Sequence, residues 1–384
     1  MGKVDETTPT KDAPAEKQVN EHVKAFFLDL AAKGRESWNG WRRDPANKDV
    51  RVTFAQIDFS REPWDRIDFS GFEFGDEADF SDCEWRGIKR QVQEDFVAFR
   101  AGRASFEGAI FDSKANFNGA VFSDFATFEG ASFGDFAMFS GAAFGCAADF
   151  NDTTFSGGAI FEGAAFEMGA SFEDATFAIA YFSFVTFGLF TNFTGAQFIL
   201  ASFDCATFGA MAVFDGATFA DLADFDGATF GGGMSLDDTI FKRGATFKGV
   251  STEQWNKKLE DNDDMDDKEA RVALKRRHDI AWAEFLSGPD RFQGISFANA
   301  RFDEEADFSG RSFEQTASFI QARFYRPPLF YAAINVARID FTGTHIGFVQ
   351  PNNLLAWTKD STVPIRLRQL RKIVEESKEP RSRT

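Results

Sequence analysis

Residues 104–150 read ASFEGAIFDSKANFNGAVFSDFATFEGASFGDFAMFSGAAFGCAADF. Phe106, Phe111, Phe117, Phe122, Phe128, Phe133, Phe139, Phe144 and Phe150 follow at alternating intervals of five and six, each with an alanine two positions earlier. We read the same alternation onward to Phe247. Of its twenty-seven positions, twenty-six are Phe and one is Leu236. Ala stands two places earlier in twenty-two, the exceptions being Thr153, Val185, Thr191, Met234 and Thr239. A strict repeat of one large and one small apolar residue means that each unit makes the same structure and buries itself on its neighbours.

A helix does not fit. Residues five apart lie roughly 130° apart around a helix, so the Phe side chains form no single seam. The segment is rich in Gly, Thr, Ser and Phe, which is poor helix composition. In an extended chain, residues two apart point the same way. Ala and Phe then both face inward, and the residues between units turn the corner. Those residues are turn formers: Glu107-Gly108, Asn118-Gly119, Glu129-Gly130, Asp215-Gly216 and Asp226-Gly227. Coils of this kind stack with a rise of roughly 4.8 Å. Each buried Phe contributes on the order of 1.5–3 kcal/mol, and the small Ala beside it prevents overfilling. The expectation is an all-β solenoid.

The A-x-F-x-x unit resembles the pentapeptide-repeat family in a phenylalanine-rich form with one-residue insertions. The resemblance implies a right-handed quadrilateral β-helix, four repeats to a coil of about 22 residues. It also implies function by surface contact, and for some members inhibition or protection of DNA gyrase by mimicking DNA.

Around the main block 104–247 the chain divides as follows. Residues 1–50 are expected to hold a disordered tail of about 20 residues, then a helix over Val19–Lys33 and the segment Trp38-Asn39-Gly40-Trp41-Arg42. That segment resembles one often found ahead of the repeats in bacterial members, and is read as a cap on the open end. A less regular block over 51–85 carries Phe54, Phe59, Trp64, Phe69, Phe74, Phe80 and Trp85. Residues 86–103 read as a loop, and 248–294 as a charged insertion, helical over Asp264–Leu286. Final coils span 295–348, and a C-terminal helix and tail 349–384. Within the last, Ile365–Glu379 is basic and amphipathic. It resembles a helix that leads to a membrane anchor in some relatives, which makes peripheral membrane contact a third expectation. No apolar run of about 20 residues follows it here.

Chemistry is sparse. His22, His278 and His345 are scattered, and no metal-binding or triad spacing appears. Gly231-Gly232-Gly233 lacks the Lys of a phosphate loop. No catalytic, cofactor or metal residue is expected, and the function class is a non-enzymatic scaffold. Three cysteines without pairing spacing, and a polar start, suggest the cytoplasm.

The surface is more informative. The formal net charge is -18, and from Ala115 to Phe241 there is no Lys or Arg but sixteen Asp or Glu. At the coil interval Asp204 stacks with Asp226 and Asp215 with Asp237, a repulsive arrangement. Solubility explains it, and so does a DNA-mimicking face directed at gyrase, another topoisomerase or a different DNA-binding protein. Direct nucleic-acid binding is disfavoured by the sign of the charge. Two outward apolar columns complete the candidate surface: Met168, Leu189 with Phe190, and Met211; then Ile179, Leu200 and Leu222. The insertion helix or the N-terminal helix of the same chain, a second copy in a homodimer, or an unidentified protein partner could cover them.

Overall fold

The computed structural model describes residues 13–85, 104–249, 257 and 294–346, apart from 312, 314–315 and 334–338. Every strand pair among these residues is parallel, as one chain coiling on itself requires. Register follows the repeat: Ala143 pairs with Ala165 and Phe144 with Phe166. Large and small residues thus stack on their own kind.

The aromatic rings form four ladders, which name the sides of the coil. The first passes through Phe106, Phe128, Phe150 and Phe172, the second through Phe111, Phe133, Phe155 and Phe177. The third passes through Phe117, Phe139, Phe161 and Phe182, the fourth through Trp85, Phe122, Phe144 and Phe166. Phe128 and Phe150 stack at 4.7 Å and 2°. Across the middle, first and third ladders meet edge to face, as Phe128 meets Phe139 at 5.4 Å. Both geometries suit the ring quadrupole.

The inward assignment holds down to its exceptions. Thr153 and Thr239 are buried, and each hydroxyl donates to a carbonyl of the coil below, Phe128 O at 2.8 Å and Phe214 O at 2.9 Å. That bond removes the cost of burying a hydroxyl. The turn after the first side uses left-handed backbone, at Gly130 (φ 63°) and equally at Asp152 (φ 55°). Aspartate visits this region more readily than most side chains, which explains its place among the glycines.

Four details differ from expectation. The alternation of five and six is not strict: Phe177 to Phe182 and Phe198 to Phe203 are only five apart. At these places the second-to-third corner loses the bulge present at Phe155/Gly158, and Ile179 pairs directly with Leu200. Trp64 belongs to no ladder; it sits in a 3-10 turn, Trp64–Arg66, bulging between the fourth and first sides. Phe72, large where the main block has alanine two places before the repeat Phe, is buried beside Phe74. The N-terminal helix begins at Ala13, earlier than Val19, and spans Ala13–Ala31 (α1).

A second helix, Arg35–Arg42 (α2), closes the first coils as the cap sequence suggested. Trp38 is fully buried, stacks on Phe72 at 5.4 Å, and donates from Nε1 to Glu73 O at 2.8 Å. Asn39 bridges the same edge, donating to Gly71 O and accepting from Glu73 N. Arg42 donates to Asn47 O and Val50 O, each at 2.8 Å. Burial lowers its pKa, with Asp76 and Asp112 opposing. The expected tail up to residue 12, the 86–103 loop, the Asp264–Leu286 helix and the Ile365–Glu379 helix lie outside the described residues.

The ladders on either side of the insertion run on in register. Phe241 stacks under Phe302 and Phe247 under Phe308, so second and third ladders run on without a gap. Ser235 bridges to Ser296, which continues the first. On the fourth side Phe230 stacks on Phe208 and Phe313 stands two layers above it, and the place between them lies outside the described residues.

Candidate interaction surfaces

The apolar residues singled out from sequence are exposed, and they fall on two separate corners. Met168, Leu189, Phe190 and Met211 lie between the fourth and first sides. Phe125, which sequence reasoning missed, joins them. Ile179, Leu200 and Leu222 lie between the second and third sides: Ile179 pairs with Leu200, and Ala201 beside Leu200 pairs with Ala223 beside Leu222. Phe136 and Ile199 were also missed there. The available signal was an apolar residue in a corner slot.

Backbone conformation distinguishes the corners. Phe190 is 58% exposed and has φ 63°; Met211 is 50% exposed and has φ 65°. At the same place in the next coil stands Gly233, φ 77°. A side chain in this region costs roughly 1–2 kcal/mol. Neither burial nor local geometry therefore explains Phe190 or Met211. Ile179 and Leu200, in contrast, lie in ordinary extended strands, Thr176–Tyr181 and Gln197–Ser202.

The acidic residues do not form one strip. Asp204 and Asp226 follow the third side, Asp215 and Asp237 the first, and these sides are not adjacent. All four are half-buried. Asp215 Oδ1 accepts from the Ser235 hydroxyl and from Asp237 N at 3.0 Å. Asp226 accepts from the Thr246 hydroxyl and from Lys248 N at 2.8 Å, and Asp237 from the Ser296 hydroxyl and Ala298 N at 2.9 Å. Each of these three carboxylates fastens the coil above it. Lys248 Nζ, 3.9 Å from Asp226 and 3.5 Å from Asp307, offsets the charge locally.

One half-buried cation was invisible to the motif search. Arg311 occupies the small-residue slot two places before Phe313, and reaches down to Phe230 two layers below. Its guanidinium lies 4.6 Å from the Phe230 ring centroid and donates from Nη1 to Ala228 O at 2.6 Å. Burial pulls its pKa down to about 10, with Asp226 opposing, so it stays charged at neutral pH. An arginine where the repeat calls for alanine was the sequence signal.

Among the described residues no group of three or more His, Cys, Asp or Glu is placed to hold a metal ion. No described helix is long and apolar enough to cross a membrane. Residues 106–154 match the family model for pentapeptide repeats, with nine copies. No curated protein matches the chain at a significant level.

Proposed function

The chain is a pentapeptide-repeat protein, and on that premise we propose that it is a non-enzymatic cytoplasmic scaffold binding a protein partner through its fourth-to-first corner. The observation that carries this reading is the pair Phe190 and Met211, exposed and left-handed at once. Costly backbone at an exposed apolar site is a hallmark of contact surfaces. An interior filled by stacked rings supports the non-enzymatic part, since perturbed catalytic groups need a cleft. Three free cysteines fit a reducing compartment.

The test immobilises the wild-type chain and the triple variant Leu189→Ser, Phe190→Ser, Met211→Ser, both checked for folding by circular dichroism. A host protein retained by the first and released by the second is expected. Identical retention by both would sink this reading. DNA mimicry directed at gyrase is the alternative, and it rests on the acidic excess alone. Its test is supercoiling inhibition at low salt that disappears as screening rises.

A further inference from the structure

The second-to-third corner carries an exposed apolar ridge with a different character. Phe136, Ile179, Ile199, Leu200 and Leu222 follow one another up consecutive coils. Gly158 keeps the ridge continuous, because the Phe136 ring lies over it; a Cβ there would stand 2.9 Å from Phe136 Cδ1. Asp135, Asp221 and Asp224 border the ridge, and Arg243 pairs with Asp221 at its upper end. Its occupant should therefore be apolar on one side and basic beside it. A second copy of the ridge meets this requirement poorly, since between Phe136 and Leu222 the sequence holds no Lys or Arg and the basic residues Lys114 and Arg243 stand at its two ends.

The chain itself contains such a sequence. Ile365, Leu367, Leu370, Ile373 and Val374 alternate with Arg366, Arg368, Arg371 and Lys372. The described chain reaches Ile346 on the second side, paired with Phe324, so the next residues start at the edge of this same corner. From Ile346 down the second ladder through Phe324, Phe302 and Phe241 to the Leu222 coil is four layers. At roughly 4.8 Å per layer, Leu222 is about 19 Å away and Ile179 about 29 Å. Residues 347–364 can span about 59 Å when extended. Reach, charge and apolar content agree.

We propose that the basic segment Ile365–Glu379 docks on the ridge of its own chain, covering Leu200 and its neighbours. This is independent of the partner proposed for the opposite corner. The test places a photo-crosslinking p-benzoyl-phenylalanine at Leu200 in the full chain and maps adducts by mass spectrometry. Adducts to residues 363–379 in a product of monomer mass are expected. Their yield should fall at least threefold in about 1 M salt, where exposed charges are screened within about 3 Å. The variant Arg366→Glu, Arg368→Glu, Arg371→Glu should lose them equally, with an unchanged circular dichroism spectrum. Adducts elsewhere, a product only of dimer mass, or a yield indifferent to salt and charge reversal would each overturn the proposal.

Discussion

The coil through Phe214, Phe219, Phe225 and Phe230 shows four sides, and the one above it shows three among the described residues. In the lower coil Phe230 stacks on Phe208 at 5.6 Å and continues the fourth ladder. In the upper coil no described residue adds a ring to that ladder, and Arg311 descends from the next layer to cover Phe230. Yet Phe241 and Phe247 sit 4.8 Å and 5.1 Å from Phe302 and Phe308, no different from the regular coils. The difference teaches that a solenoid tolerates an insertion on one side of a coil when the other sides carry the stack across it. Nearest-neighbour stability of this kind is expected of repeat architectures.

The comparison breaks first if the regular ladder is not the chief support. Phe150→Asp buries a charge with no partner and should cost more than about 4 kcal/mol, unfolding several coils. Thr229→Asp, on an outward position, should stay within about 0.5 kcal/mol. Equal losses in urea denaturation would refute the inward assignment.

Arg311→Ala should cost about 2 kcal/mol, because it removes a charge-assisted hydrogen bond and a cation–π contact. Replacing residues 249–294 by a copy of 227–233 in the Arg311→Ala background should recover that loss, since the new Phe supplies a fourth-side rung. Simple removal of the insertion without a substitute would force the chain straight from the third side to the first. Failure of the graft to recover stability, read in the same titration, would show that Arg311 is not standing in for a fourth-side ring.

A pH series sharpens the contrast at the N-terminal end. Cys83 is buried, donates from Sγ to Phe54 O at 3.0 Å, and its pKa is pushed up to about 12, chiefly by burial. The unfolded thiol ionises near 9.0. A folded pKa above the unfolded one gives stability that is complete below pH 9 and lost as pH rises towards 12. The wild type should therefore lose about 1 kcal/mol more than Cys83→Ala between pH 9 and pH 10. Parallel curves for the two proteins would contradict the burial of this thiol.

The smallest effect is expected at the strained corner. Phe190→Gly should raise stability by about 1 kcal/mol, because the left-handed backbone there suits glycine. Destabilisation measured by thermal melting would mean that the Phe190 side chain supports the fold of the isolated chain.

Much of the core was legible because side-chain direction in an extended chain depends only on local spacing. Ala two places before Phe named the inward pair, and Thr153 and Thr239 were correctly placed even though they are polar. Trp64 was misread because spacing alone cannot distinguish a strand residue from one on a 3-10 bulge. The stacked acids were paired correctly along the axis, but their division between non-adjacent sides was missed. The hydrogen bonds to the next coil depend on donors 20 to 22 residues away in sequence for Asp215 and Asp226, and 59 to 61 residues away for Asp237.

The sequence by itself determined that this chain is a stacked solenoid with aromatic ladders inside, since a period of large and small apolar residues admits one way of burying them. Only the tertiary structure decided which side each residue occupies. A coil shortened by one residue at Phe177–Phe182 changes the corner without changing the ladder, and an insertion after Gly249 leaves the second and third ladders in register. The physical reason is that stacking is enforced layer by layer, through parallel hydrogen bonds and ring contacts between coils. Those contacts join residues about a full turn apart, where local spacing no longer speaks.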